Sequence, residues 1–198
     1  MKIYANGCSF VLGQELVDND PLNMNNKNTA WPSKLNAYND AWSGSSNHAI
    51  MNRTLDYCKN NNVDIAIIGW TAYSRVLTLG DNSRNDRLGQ FTAKPTTQDA
   101  PMHERYYHND EMLKQWSKNV IECTYYWLKA NDIMPIFFNS MDEFKTDVPM
   151  LWNGLSWRKV YHDQFNLKVD FERHPDQKMH DWMADYLKDD INKSKTSY

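Results

Sequence analysis

Two kinds of hydrophobic spacing alternate along the chain. Lys2-Ile3-Tyr4-Ala5 opens it as a short β-rich run that reads as a central strand, and Val63-Asp64-Ile65-Ala66-Ile67-Ile68-Gly69-Trp70 is longer and mostly β-branched, as a strand covered on both faces requires. Ile133-Met134-Pro135-Ile136-Phe137-Phe138 is a further strand, which Pro135 places toward a sheet edge. Between these runs the spacing turns helical. Trp31 and Leu35 meet on one face behind Pro32, and Ile50, Leu55, Tyr57 and Cys58 form a face that Asn60-Asn61-Asn62 stops. Leu113, Trp116, Val120, Ile121, Tyr125 and Leu128 predict a helix over 110–131, capped by Asn109 or Asp110. Met179, Trp182, Met183, Tyr186 and Leu187 predict another, with Pro175 in its first turn. A short strand or extended piece from Asn39 ends in the turn Ser43-Gly44-Ser45-Ser46-Asn47. Strands alternating with helices, without internal repeats, predict an α/β fold: a three-layer α/β/α sandwich on a parallel sheet.

Three stretches carry no clear period. Residues 18–29 are Asn-rich with Pro21 and read as a surface loop, and 140–159 reads as an irregular or helical crossover. Residues 71–109, polar and broken by Pro95 and Pro101, form a long loop insertion expected to carry substrate specificity. A length of 198 residues is one domain's worth, so 1–198 is read as a single unit.

Composition narrows the function classes. Aromatics at 13 %, including 8 Trp and 11 Tyr, argue for a packed core despite a mean hydropathy of -0.78. With 22 Lys+Arg against 25 Asp+Glu the net charge is -3, so neither a nucleic acid nor a membrane surface is an expected partner. Cys8, Cys58 and Cys123 are far apart and read as buried thiols of a reducing compartment. Met1-Lys2 runs straight into the first strand, leaving no room for a signal peptide, which makes the cytoplasm the expected location.

Four polar stations fall at predicted strand ends or in the loops after them: Ser9, Gly44 to Asn47, Trp70-Thr71, and Asp170 to His174. Ligands of open α/β folds bind at that edge. A serine behind Gly7, which supplies a tight or left-handed turn, would be lifted out of the sheet; a histidine could activate it and a carboxylate could orient the histidine. Each station also has a plainer reading. Ser9 could cap a helix, His174 could do likewise, Gly44 to Asn47 could be a turn and N-cap, Thr71 could end a strand, and Arg75 could pair with a carboxylate instead of binding substrate. His103, His108, His162 and His180 lack metal-ligand spacing, so no metal is assigned.

Taken in order, the stations resemble the SGNH (GDSL-type) hydrolase superfamily, whose fold is flavodoxin-like. Gly7-Cys8-Ser9-Phe10 resembles the first block with Ser9 as nucleophile, and Asn39-Asp40-Ala41-Trp42-Ser43-Gly44 the second with Gly44 in the oxyanion hole. His174-Pro175 resembles the last and makes His174 the base. Two positions depart from the pattern. Thr71 stands where the family has an asparagine, with Asn47 as a substitute donor, and Phe171 stands where the orienting acid is usual. Asp170 and Glu172 flank it, so either one of them serves, Asp170 being the candidate, or the third member is missing. The resemblance implies a serine ester hydrolase, an esterase acting through an acyl-enzyme on an O-acylated carbohydrate, with Trp70 and Arg75 at the substrate. It needs no cofactor, and its partner is a small-molecule or glycan ester. The block style is also similar to SGNH-like proteins of tailed bacteriophages, which would put the protein in a host cytoplasm or a virion. The alternative is a catalytically degraded SGNH domain that binds glycan or protein. A flavodoxin-type nucleotide or flavin domain lacks the Gly-rich phosphate loop it would need.

Overall fold

A computed structural model describes residues 1–14, 16, 28–78, 89–92, 110–167 and 174–195. Four parallel strands form the sheet: β1 (Ile3–Gly7), β2 (Tyr38–Asn39), β3 (Ile65–Trp70) and, at the far side, the strand Met134–Asn139. With a two-stranded antiparallel hairpin, β4 (Arg75–Thr78) and β5 (Gly89–Thr92), intervening in sequence, that last strand is β6, and the order across the sheet is β2-β1-β3-β6. β1 pairs with β3 from Ile3↔Ile65 to Gly7↔Gly69, and β3 with β6 from Ile65↔Met134 to Trp70↔Asn139. Because the pairing is parallel and in step, all the strand C-termini emerge along one edge.

Six helices are described: α1 (Ser9–Leu12), α2 (Trp31–Lys34), α3 (Asn47–Asn60), α4 (Asp110–Ala130), α5 (Trp157–Gln164) and α6 (Gln177–Lys195). The two-residue alternation of the strands sorts the core into two halves. Ala5, Ile67, Ile136 and Phe138 face Val11, Trp31, Trp157, Met183 and Leu187 on one side. Tyr4, Ala66, Ile68, Trp70 and Phe137 face Ile50, Val120, Ile121 and Leu128 on the other. The expected parallel α/β/α sandwich is therefore present, with Pro135 on the outermost strand described, where its missing N–H costs least.

Several elements differ from expectation. The turn-rich stretch after Thr71 contains the β4–β5 hairpin, held by backbone pairing that no side-chain period announces. The crossover after β6 agrees with its reading as irregular and helical: it consists of a 3-10 turn (Leu151–Gly154) and α5, with Asn139 bridging to Ser156 in parallel fashion. The first turn of α6 excludes Pro175, because Asp176 caps the helix: its Oδ1 accepts from Met179 N at 2.9 Å. On α3 the buried face carries Asn47 and Thr54 beside Ile50 and Cys58, while Leu55 and Tyr57 are only partly covered. Cys123 is exposed on α4, unlike the buried Cys8 and Cys58.

Candidate active site

The nucleophile turn begins where β1 runs out. Gly7 is ordinary extended strand, not left-handed, and what its position demands is the absence of a side chain. A Cβ there would lie 2.4 Å from Val11 Cγ2 and 2.8 Å from the carbonyl oxygen of Gly69. Gly69 is equally tight, its Cβ position lying 2.6 Å from both Val11 Cγ2 and Ser140 Oγ. These two glycines, paired across β1 and β3, let the single-turn helix α1 sit directly on the sheet. Cys8 is the N-cap residue and Ser9 the first helical one, so helix geometry leaves the Ser9 amide without an intrahelical acceptor. Ser9 retains 3 % exposure.

His174 reaches this serine from the other end of the chain. Its Nε2 lies 2.9 Å from Ser9 Oγ, a contact between residues 165 apart in sequence. The ring rests edge-on against Phe10, with centroids 5.4 Å apart, and the guanidinium of Arg158 covers Phe10 at 4.6 Å from its ring centre. Asp170 and its neighbours Phe171 and Glu172 lie outside the described residues.

The Gly44 turn stands alongside. Gly44 has φ 74, a left-handed conformation that a side chain would strain. Trp42 N donates to Gly7 O at 3.2 Å, and Ser43 Oγ donates to Gln14 Oε1 at 2.7 Å, which ties the turn to both ends of the nucleophile segment. Within the Ser45-Ser46-Asn47 run the roles divide. Ser46 caps α3 through Ala49 N at 3.3 Å, Ser45 meets Arg53, and Asn47 is buried.

Asn47 is spent on structure. Its Oδ1 accepts from Thr71 N at 2.9 Å, and its Nδ2 donates to Thr71 O at 3.2 Å and Ser117 Oγ at 3.1 Å, so its carboxamide mimics a backbone partner for the residue after β3. Both amide hydrogens are used, which removes Asn47 as an oxyanion donor. Thr71 Oγ1 in turn donates to Met141 Sδ at 3.4 Å. Asn47→Ala would orphan both backbone groups of a fully buried residue. A loss of about 3 kcal/mol in urea unfolding is expected from two unsatisfied groups, and a change under about 0.5 kcal/mol would contradict the clamp role.

Trp70 is not where the sequence reading put it. Strand alternation turns Trp70 away from Gly69's face, and it lies fully buried against Phe137, centroids 5.2 Å apart, under α3 and α4. A substrate cannot reach it there. Arg75 opens β4 beside Asp142, whose carboxyl burial pushes up while the Tyr73 N–H and the Arg75 charge pull it down. Asp142, which also accepts from Tyr73 N at 3.2 Å, escaped the sequence reading; its position just beyond β6 at the C-terminal edge was the available signal.

His180, one turn into α6, is fully buried and accepts from Trp31 N at 3.1 Å through Nδ1. Burial drives its pKa down from 6.5 to about 3. Between those values the unfolded chain binds a proton that the folded chain refuses, so this group's stability is complete above about pH 6.5 and drains as pH falls, by up to about 1.4 kcal/mol per unit. Urea midpoints measured from pH 7.5 to 5 should fall on the acid side. In His180→Asn, which keeps an acceptor but does not titrate, that limb should flatten; an equally steep limb would assign the acid sensitivity elsewhere.

No family model matches the sequence, and no curated protein matches it. Solved structures do match by shape. The psychrotrophic esterase EstA from a Pseudoalteromonas species, in a structure inhibited by monoethylphosphonate, superposes with a TM-score of 0.55 at 11 % identity, covering 98 % of each chain. A GDSL-like lipase from Bacteroides thetaiotaomicron gives 0.52 at 13 % identity, over 98 % of this chain and 88 % of the other. The fold is thus that of GDSL-type hydrolases, reached by a sequence that shares little with them.

Proposed function

We propose that the chain is a serine ester hydrolase with Ser9 as nucleophile and His174 as base. The observation that carries this is the 2.9 Å contact between Ser9 Oγ and His174 Nε2 at the C-terminal edge of a GDSL-type sheet. In the proposed cycle Nε2 takes the hydroxyl proton as Oγ adds to the ester carbonyl. The oxyanion is met by the amides of Ser9 and Gly44, each worth about 10²–10³-fold in rate where such donors have been removed elsewhere. Collapse breaks the ester bond, the alcohol leaves with the proton from His174, and water repeats the sequence on the acyl-enzyme. Asp170 is the proposed partner that orients His174.

A short acyl group suits a serine with 3 % exposure; a carbohydrate ester is the proposed substrate by analogy with SGNH hydrolases, and a phage-encoded source by the style of the blocks. Among the described residues no helix is long and apolar enough to cross a membrane.

A second reading has a specific observation behind it. With Thr71 hydrogen-bonded to Met141 and Asn47 committed to Thr71 and Ser117, neither side chain serves the oxyanion, which favours a slow or degraded enzyme that binds glycan or protein. A fluorophosphonate probe separates the two, and the phosphonate in the EstA structure recommends that chemistry. Stoichiometric labelling on the Ser9 peptide supports the hydrolase; a folded protein that takes no label supports the binding module.

A further inference from the structure

Beneath the two turns that would hold the oxyanion lies a buried polar network outside the roles assigned so far. Asn6, the last residue but one of β1, is fully buried, although a strand interior is a costly place for a carboxamide. Its Oδ1 accepts from Gly7 N at 2.7 Å and from Arg53 Nη2 at 3.2 Å. Its Nδ2 lies 3.0 Å from each of Tyr4 Oη, Ile50 O and Thr54 Oγ1, and Tyr4 Oη donates to Asp40 Oδ2 at 2.9 Å. Arg53, on α3, uses the same Nη2 to donate to Ser45 Oγ at 2.8 Å, and Ser45 Oγ passes a hydrogen to Trp42 O at 3.0 Å. One guanidinium nitrogen therefore touches the residue before Gly7 and the residue after Gly44.

We propose that Arg53 is a positioning residue that fixes the Ser9 and Gly44 amides relative to each other, by bracing Asn6 under the nucleophile turn and Ser45 beside the glycine turn. This rests on the hydrolase reading of the same site. The chemistry favours arginine for the task. Nη2 carries two hydrogens held in one plane at a fixed angle, so an acceptor at the end of β1 and one in the glycine turn are spaced by the donor itself, whereas a lysine ammonium on a flexible stem imposes no such spacing. Bringing a guanidinium out of water is costly, and cohesion between α3 and the sheet is obtained at less cost from an apolar side chain such as Ile50 on the same helix. Burial does lower the Arg53 pKa, opposed by the charge of Asp40 and by Tyr4. What the arginine adds is geometry. An oxyanion site works only if its donors are in place before charge develops, and a displacement of about 1 Å can cost about 10²-fold.

The test compares native protein, Arg53→Lys, Arg53→Met and Ser45→Ala on p-nitrophenyl acetate and on a fluorophosphonate probe, at a temperature where circular dichroism shows each folded. For both Arg53 variants the expected result is a fall of about 10–100-fold in kcat and in labelling rate with KM nearly unchanged, since the interaction lost acts on the transition state. Ser45→Ala, which removes only the hydroxyl that Nη2 holds, should show the same split on a smaller scale. Folded Arg53 variants with native kcat, whatever their melting temperature, would reduce Arg53 to a stabilising residue and overturn the proposal. Should Arg53→Lys fail to fold, Ser45→Ala decides in the same way. If the native protein itself takes no label, the hydrolase reading falls and this inference falls with it; loss confined to the variants leaves that reading standing.

Discussion

Replacing Ser9 by alanine is expected to bring turnover of p-nitrophenyl acetate down to the uncatalysed background, and His174→Ala to do nearly the same. In the proposed mechanism the two side chains act as one unit: the hydroxyl is a weak nucleophile unless the imidazole removes its proton, and the imidazole serves the reaction through that proton. Losses in such units run to about 10⁴–10⁶-fold in kcat and are not additive, so the double variant should be no slower than either single one. Ser9→Ala should disturb folding little, because it removes only a hydroxyl, and urea unfolding of each variant checks that its loss of rate is not a loss of fold. If His174→Ala labelled with fluorophosphonate at the native rate, the base would have to be sought elsewhere. If Ser9→Ala kept its turnover, the nucleophile assignment itself would fail.

The second large effect is expected at Gly7. A methyl group there meets Val11 Cγ2 at 2.4 Å, Val11 Cβ at 2.9 Å and Gly69 O at 2.8 Å. A valine can turn aside, but the Gly69 oxygen belongs to the central strand and is held in step with β1. Gly7→Ala must therefore push α1 and β3 apart. About 2–3 kcal/mol of destabilisation is expected, at the upper end for overpacking by one carbon. Activity should fall further than stability, since Ser9 stands two residues on and about 1 Å of movement is enough to cost about 10²-fold. Adding Val11→Ala should recover part of the stability and little of the rate, because it removes the Cγ2 contact and leaves those with Val11 Cβ and the Gly69 oxygen. A Gly7→Ala protein with native urea midpoint and native kcat would refute the packing argument.

Legibility in the sequence followed the range of the interactions. The strands at residues 3, 65 and 134 and the helices over 110–130 and 177–195 were visible because burying one face imposes a local period on the chain. The order of small polar stations at strand ends was likewise visible, since parallel strands deliver their C-termini to one edge. It pointed to Ser9 and His174 as neighbours, which their 2.9 Å contact shows them to be, but it gave the left-handed turn to Gly7 where the structure has it at Gly44. Trp70 and Asn47 were misread for one reason. Whether a polar or aromatic residue next to a station faces the site or the core depends on which side of the sheet it leaves from and on what lies there. Trp70 leaves on the face opposite Gly69, into the α3–α4 core, and Asn47 finds Thr71 and Ser117 within reach.

The polar network of Asn6, Arg53 and Ser45 left no trace in any period, because its members lie on three elements and are joined by hydrogen bonds that exist only once β1, the Gly44 turn and α3 are assembled. The β4–β5 hairpin escaped for a related reason, its pairing being made by backbone groups common to every residue. By itself, then, the sequence determined the layered α/β architecture and the order of its candidate catalytic stations, through local patterns that burial and turn chemistry write into the chain. Which side chains meet at 3 Å, which are consumed in holding the backbone, and which two glycines must yield to a neighbouring strand were decided only by the tertiary structure, because those contacts join residues tens to more than a hundred positions apart.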